Sequence, residues 1–154
     1  MTSVPLKFVK MSPDAHAPKY QTAGSACFDI AAYLNPEERA NGRMLRGSSS
    51  IVLRTALAFQ VPDGYVMLVY PRSGHAFNYE VRLSNCVAVI DSDYRGELMI
   101  KLVADSEFSL VIQHGDRVAQ AMLMPLPPVA IVQCDWLTPT VRGASGLGST
   151  GVTS

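Results

Sequence analysis

The chain has 154 residues, 48% of them hydrophobic, with 13 basic and 13 acidic side chains. This length fits one domain able to bury a sizeable core. The balanced charge excludes a general electrostatic pull toward nucleic acid or membrane, so any anionic ligand must be met by locally placed groups. Cys27, Cys86 and Cys134 are odd in number and widely spaced, with neither CxxC nor zinc-ligand spacing, which suits reduced thiols in a cytoplasm-like compartment. The N-terminal MTSVPLKFVK has no apolar signal region, and no stretch approaches the roughly 18 apolar residues of a membrane span, so a soluble, non-secreted protein is expected.

In chain order, residues 4–10 alternate as a first strand. GSACFDIAA at 24–32 sets one carboxylate, Asp29, in an apolar run, where burial is costly unless the acid is paired, hydrogen-bonded or near a cation. Residues 35–50, NPEERANGRMLRGSSS, are polar and Gly/Ser-rich, which predicts a mobile surface excursion. A second strand is expected over 51–60, closed by the turn Pro62-Asp63-Gly64, and a third over 65–70. That strand runs directly into Pro71-Arg72-Ser73-Gly74, where a guanidinium, a hydroxyl and free N–H groups at a helical start suit an anion; a plain strand-to-helix turn fits as well. One short helix is expected over 74–80.

Residues 85–90, NCVAVI, predict a buried strand stopped abruptly by Asp91, Ser92 and Asp93, with Tyr94 and an Arg-Gly turn following. A carboxylate at a strand end can be rigid and still meet solvent, although Asp and Ser are also ordinary turn residues. Further strands are predicted over 98–104, 108–112, 117–124 and 129–133. GDRVAQ at 115–120 reads as a type I turn entering a strand, with Asp116 and Arg117 as a surface ion pair. The last segment, 138–154, has four glycines and little to bury, and composition alone predicts a disordered tail. Gly146, Gly148 and Gly151 nevertheless allow close backbone approach, Ser149 and Thr150 carry hydroxyls, and Arg142 supplies a fork matched to phosphate. His16, His75 and His114 have no zinc or triad spacing; His75, beside the Arg-Ser-Gly turn, suits a neighbour of a site better than its base. Many short strands with turn punctuation and no internal repeat predict an all-β sandwich, jelly roll or barrel.

Five segments in this order, AGSACFDIAA (23–32), PRSG (71–74), VAVIDSDYRGE (87–97), GDRVAQ (115–120) and RGASGLGSTG (142–151), resemble the motifs of the trimeric dUTPase family, the dUTP pyrophosphatases. The resemblance runs from near Val4 to Gly151. It implies a distorted jelly-roll β-barrel at 1–137 and a C-terminal arm at 138–154 that closes over a neighbouring subunit's site in a homotrimer. The implied reaction is hydrolysis of dUTP to dUMP and pyrophosphate with Mg²⁺, keeping uracil out of DNA and supplying dUMP for thymidylate synthesis.

By the same resemblance, Asp91 is the carboxylate that deprotonates the water attacking the α-phosphorus, and Tyr94 lies against the deoxyribose, leaving no room for a 2′-OH. Asn85, with backbone of Val89 and Ile90 and with Met99 nearby, forms the uracil slot. Arg72, Ser73, Gly74 and Gln120 hold phosphates. Arg142, Leu147, Gly148, Ser149 and Thr150 close over them, and Asp29 reaches Mg²⁺ through bound water. Phosphoryl transfer needs mainly positioning and charge neutralisation, which such a set supplies. A backbone carbonyl accepting from uracil N3–H would be left unpaired by cytosine, at about 1–3 kcal/mol.

Two residues depart from the family pattern. Leu147 stands where most members have Phe, and Ala88 stands where Gly is usual, so that its methyl either tightens the uracil slot or packs beside it. The excursion at 35–50 is a candidate surface for a regulatory protein partner. A dCTP deaminase of the same fold and a non-catalytic, regulatory relative are the alternatives; the complete glycine-rich arm and Tyr94 favour the diphosphatase.

Overall fold

The computed structural model describes residues 3–146. Its strands are β1 (Lys7–Lys10), β2 (Phe28–Ala31), β3 (Arg43–Leu45), β4 (Ser50–Gln60), β5 (Tyr65–Tyr70), β6 (Val81–Leu83), β7 (Ala88–Ile90), β8 (Glu97–Ala104), β9 (Leu110–Ile112) and β10 (Arg117–Pro125). Two four-stranded antiparallel sheets, ordered β1-β4-β8-β6 and β2-β10-β5-β7, are joined by the small pair β3-β9. The strands interleave between the sheets in jelly-roll fashion, and among the described residues the sheets remain open rather than closing into a barrel.

One apolar cluster fills the space between the sheets. Leu53, Leu57, Ile100 and Leu102 project from one side, and Ile30, Met67, Val69 and Ala121 from the other, all essentially inaccessible to water. β8 shows the cause, since its inward residues Leu98, Ile100, Leu102 and Ala104 alternate with outward ones. β4 alternates only as far as Arg54. Between Arg54 and Ala58 its register against β8 slips, and Ala56 adopts a left-handed φ of 52°. A side chain in that conformation costs about 1–2 kcal/mol. Two bonds offset it: the Glu97 carboxylate accepts the Ala56 N–H at 2.7 Å, and the Thr55 hydroxyl donates to the Leu98 carbonyl at 2.7 Å.

The expected short helix is α2 (Ser73–Tyr79). The segment 35–50 is not the mobile excursion its composition suggests. Pro36–Arg39 forms a single turn, α1, closed by a capping box in which the Asn35 side chain accepts the Glu38 N–H at 2.9 Å and Glu38 accepts the Asn35 N–H at 3.1 Å. Arg39 donates back to the Leu34 carbonyl, and β3 pairs β9. Gly42, at φ 68°, makes the turn from α1 into β3; a Cβ there would lie 2.8 Å from the Ile112 carbonyl oxygen. Reciprocal capping and a non-local ladder hold a segment whose polarity alone argues for a loop.

The strand expected over 129–133 does not form. After β10 the chain runs exposed with no regular element to residue 146, and Val129 and Ile131 are 77% and 99% exposed. Their alternation marks a surface to be covered, but no sheet edge of this chain receives them. No helix among the described residues is long and apolar enough to cross a membrane.

Candidate active site

Two half-sites lie on the sheet β2-β10-β5-β7. The first lies across its β2 side. Register sets Asp29, Gln120 and Tyr70 in one row over three neighbouring strands, and β5 then exits through Pro71 into Arg72. Asp29, Arg72, Ser73, Arg117 and Gln120 line a cavity of about 360 Å³ with Gln21, Ser25 and Cys27. The Asp29 carboxylate, 11% exposed, is gripped by Arg72 Nε at 3.2 Å and by Arg117 at 3.0 Å. This is the pairing that a lone acid in an apolar run requires. Two guanidinium groups against one carboxylate leave the cavity net positive. Gln120 donates to the Pro71 carbonyl at 2.9 Å, and Arg72 donates to the Arg117 carbonyl at 3.0 Å, so strand exit and cationic groups are tied together.

No side chain caps the start of α2, which leaves its first N–H groups free. Ser73 and Gly74 are exposed there, and a Cβ on Gly74 would meet nothing within 4 Å, so another molecule can approach the backbone. His75 is half-buried with Nδ1 unpartnered; burial, reinforced by Arg72, holds its pKa below the usual 6.5. Burial pushes the Cys27 thiol up, and the Asp29 charge adds to this, which disfavours its thiolate.

The second half-site lies at the β7 edge. Asn85, Ala88, Val89, Ile90, Asp91, Tyr94 and Met99, with Glu97 and Leu98, line a cavity of about 290 Å³, near the lower end for small-molecule sites. Asp91 follows β7 directly and is exposed at the rim. The turn beyond it is closed by the Tyr94 N–H on the Asp91 carbonyl and by Arg95, which donates to the carbonyls of Ser92 and Tyr94 at 2.6 and 2.9 Å. Ala88 is in the lining and, like Ile90, packs against the apolar core.

The half-sites do not meet within one chain. The β5–β7 register, with Met67 opposite Ile90, puts Asp91 level with Val66, six positions before Arg72. At a strand rise near 3.3 Å this is about 20 Å, too far for one small ligand to touch both. Arg142 lines neither cavity; it donates to the carbonyls of Ser145 and Gly146 in its own turn. Leu147, Gly148, Ser149 and Thr150 lie outside the described residues.

The dUTPase family profile matches residues 13–151. The chain belongs to the dUTPase family. A deoxyuridine 5′-triphosphate nucleotidohydrolase of Dinoroseobacter shibae is 40% identical over 134 residues, covering 87% of this chain and 86% of its own. Its counterpart from Nautilia profundicola is 37% identical over 146 residues, 95% of this chain and 98% of its own. Among solved structures, the Staphylococcus phage 80alpha dUTPase with dUPNHPP aligns with a TM-score of 0.83 at 25% identity, over 97% of this chain and all of the other. A phage phi11 dUTPase variant, described as coordinating a structural Mg(II) ion, aligns at TM-score 0.74 and 21% identity, over 86% of this chain and 98% of its own. It speaks to the fold alone.

Sequence reasoning missed two participants. Arg117, expected to pair with Asp116, instead grips Asp29, 88 positions away, while Asp116 accepts the Gln113 N–H at 2.7 Å. Glu97 was legible only as the last letter of the third family motif, yet it lines the second cavity and holds the β4 bulge.

Proposed function

We propose that the protein hydrolyses dUTP to dUMP and pyrophosphate in active sites shared between subunits of a homotrimer. The observation that carries this reading is the division of one catalytic constellation into two half-sites about 20 Å apart on the same sheet. One offers a carboxylate beside a nucleoside-sized slot, the other a net positive cradle. A second copy supplying the cradle beside Asp91 completes a site for a pyrimidine nucleotide with a polyphosphate tail.

In the joined site Asp91 takes a proton from water, and the resulting hydroxide attacks the α-phosphorus. The bond to the α–β bridging oxygen breaks, and that oxygen leaves with pyrophosphate. The exposed rim position of Asp91 keeps it within reach of water. Asn85, the backbone of Val89 and Ile90, and Met99 take the base, while Tyr94 bounds the sugar. Arg72, Ser73, the Gly74 backbone and Gln120 neutralise and align the phosphates. Residues 1–137 form the body, and the arm 138–154 brings Arg142, Leu147, Gly148, Ser149 and Thr150 over a neighbour's site. The exposed Val129 and Ile131 support such an arm, because packing on another subunit would remove them from water.

Mg²⁺ fits the donor set as a substrate-borne ion. Among the described residues no cluster of three or more His, Cys, Asp or Glu side chains forms a cage, and Asp29 is the one carboxylate of the cationic cavity. Mg²⁺ keeps several waters and is held by one or two carboxylates plus phosphates, so Asp29 would hold it through water once phosphates engage the arginines. Its chemistry there is screening and alignment of the polyphosphate. The three free thiols agree with a reducing compartment such as the cytoplasm.

The test is pyrophosphate release from a panel of nucleoside triphosphates with Mg²⁺. The protein turns over dUTP selectively, and Asp91→Asn loses about 10²–10⁴-fold, the contribution of a positioned base. Arg72→Ala is also inactive. Unfolded and refolded together in equal amounts, the two variants recover about a quarter of wild-type activity, the fraction of randomly assembled shared sites with both intact halves. Equal activity of Asp91→Asn and wild type refutes the base, and no recovery on mixing refutes the shared site. Ammonia release from dCTP would point to the deaminase instead.

A further inference from the structure

Tyr94 is 45% exposed, and a tyrosine so placed ordinarily samples several rotamers on the ps–ns scale. Here the phenolic end of the ring is held twice. Its edge lies on Gly96 so closely that a Cβ on that residue would overlap the phenolic oxygen and come within 2.6 Å of Cζ and 3.0 Å of Cε2. Its hydroxyl donates to the Glu97 carbonyl at 3.0 Å.

The anchor of that hydrogen bond is itself fixed. The Glu97 carboxylate accepts the Ala56 N–H at 2.7 Å and pairs with Arg54 at 3.0 Å, and the adjoining Leu98 carbonyl accepts from buried Thr55. The β4 bulge thus staples the start of β8, and the start of β8 holds the ring.

We propose that Gly96 and the Glu97 carbonyl are positioning residues for sugar selection: the bare Cα of Gly96 seats the Tyr94 ring, the carbonyl tethers its hydroxyl, and this seat sets the discrimination between dUTP and UTP. The proposal rests on the proposed function. Its physical basis is that an apolar surface alone rejects an added hydroxyl weakly, by about 10²-fold at most. A ring that can turn aside admits the 2′-OH; a ring clamped at edge and tip cannot. Gly96 is needed for the absence of its Cβ, since its φ is not left-handed.

Gly96→Ala leaves the backbone unstrained and displaces only the far end of one surface side chain, so the variant is expected to fold. Steady-state pyrophosphate release is measured with dUTP and with UTP for the wild type, Gly96→Ala, Tyr94→Phe and Tyr94→Ala, with urea unfolding alongside. The dUTP/UTP ratio of kcat/KM falls at least about tenfold in Gly96→Ala, in keeping with the cost of displacing a positioned group by an ångström. Tyr94→Phe keeps the seat and loses the tether, and its ratio falls about fivefold, the worth of one neutral hydrogen bond.

A collapsed ratio in Tyr94→Ala with an unchanged one in Gly96→Ala overturns the seat while the diphosphatase reading stands. Equal loss with both substrates in Gly96→Ala does the same, because it marks a merely structural effect. Should Gly96→Ala unfold, an unchanged ratio in Tyr94→Phe overturns the tether on its own. No release from dUTP by the wild type removes the proposed function instead.

Discussion

Thr55→Val isolates what the β4 bulge contributes. Among the described residues, Thr55 is the one buried polar side chain, 1% exposed. Its hydroxyl donates to the Leu98 carbonyl at 2.7 Å and accepts the Leu57 N–H at 3.2 Å. Valine has nearly the same shape, so packing changes little, while a carbonyl and an N–H lose a partner where no water reaches. Leaving a buried group unsatisfied costs about 1–3 kcal/mol, so two such groups in a bulge that can partly relax cost about 2–4 kcal/mol. Thr55→Ser keeps the hydroxyl and loses a methyl, about 1 kcal/mol. Urea unfolding at matched chain concentration measures both and keeps the proposed assembly out of the comparison. Leu98 also lines the second cavity, so the KM for dUTP rises in Thr55→Val. A Thr55→Val loss below about 0.5 kcal/mol, or one no larger than that of Thr55→Ser, refutes the role given to the hydroxyl.

Acid should weaken the fold through histidine. The His114 Nδ1 accepts the Leu34 N–H at 3.1 Å, which only neutral imidazole can do, and burial, followed by the nearby Arg39 and His16 charges, holds its pKa below 6.5. As pH falls through 6.5 the unfolded chain takes up a proton first, so stability present above that value is lost until the lower folded-state pKa is passed. Urea midpoints from pH 7.5 to pH 5 follow this, and His114→Asn, whose amide oxygen can replace Nδ1, flattens the slope. His75, also depressed, leaves a residual slope; an unaltered profile refutes the assignment. On the proposed closure of the arm over the base, Leu147→Phe adds a π-face, worth about 1–3 kcal/mol of stacking, and lowers KM for dUTP. An unchanged or higher KM sinks that expectation.

Much of the fold was legible in the sequence because its causes are local. β5 occupies 65–70 as predicted, β8 and β10 differ from expectation by a residue at one end, and α2 is shifted by one residue from its expected span, since alternation and turn residues act over a few positions. The strand end at Asp91 was legible for the same reason, but the strand is shorter than expected, 88–90, and not buried, with Val89 61% exposed. The tertiary structure decided what depends on register between distant strands: Arg117 reaching Asp29, the β4 bulge answering Glu97, and the ladder that holds 43–45 against 110–112. It also decided that the cationic cradle and Asp91 sit at separate places on one sheet. The family resemblance names candidate residues for such a site, but the hydrogen-bonded pairing of strands far apart in sequence sets which of them one chain can bring together.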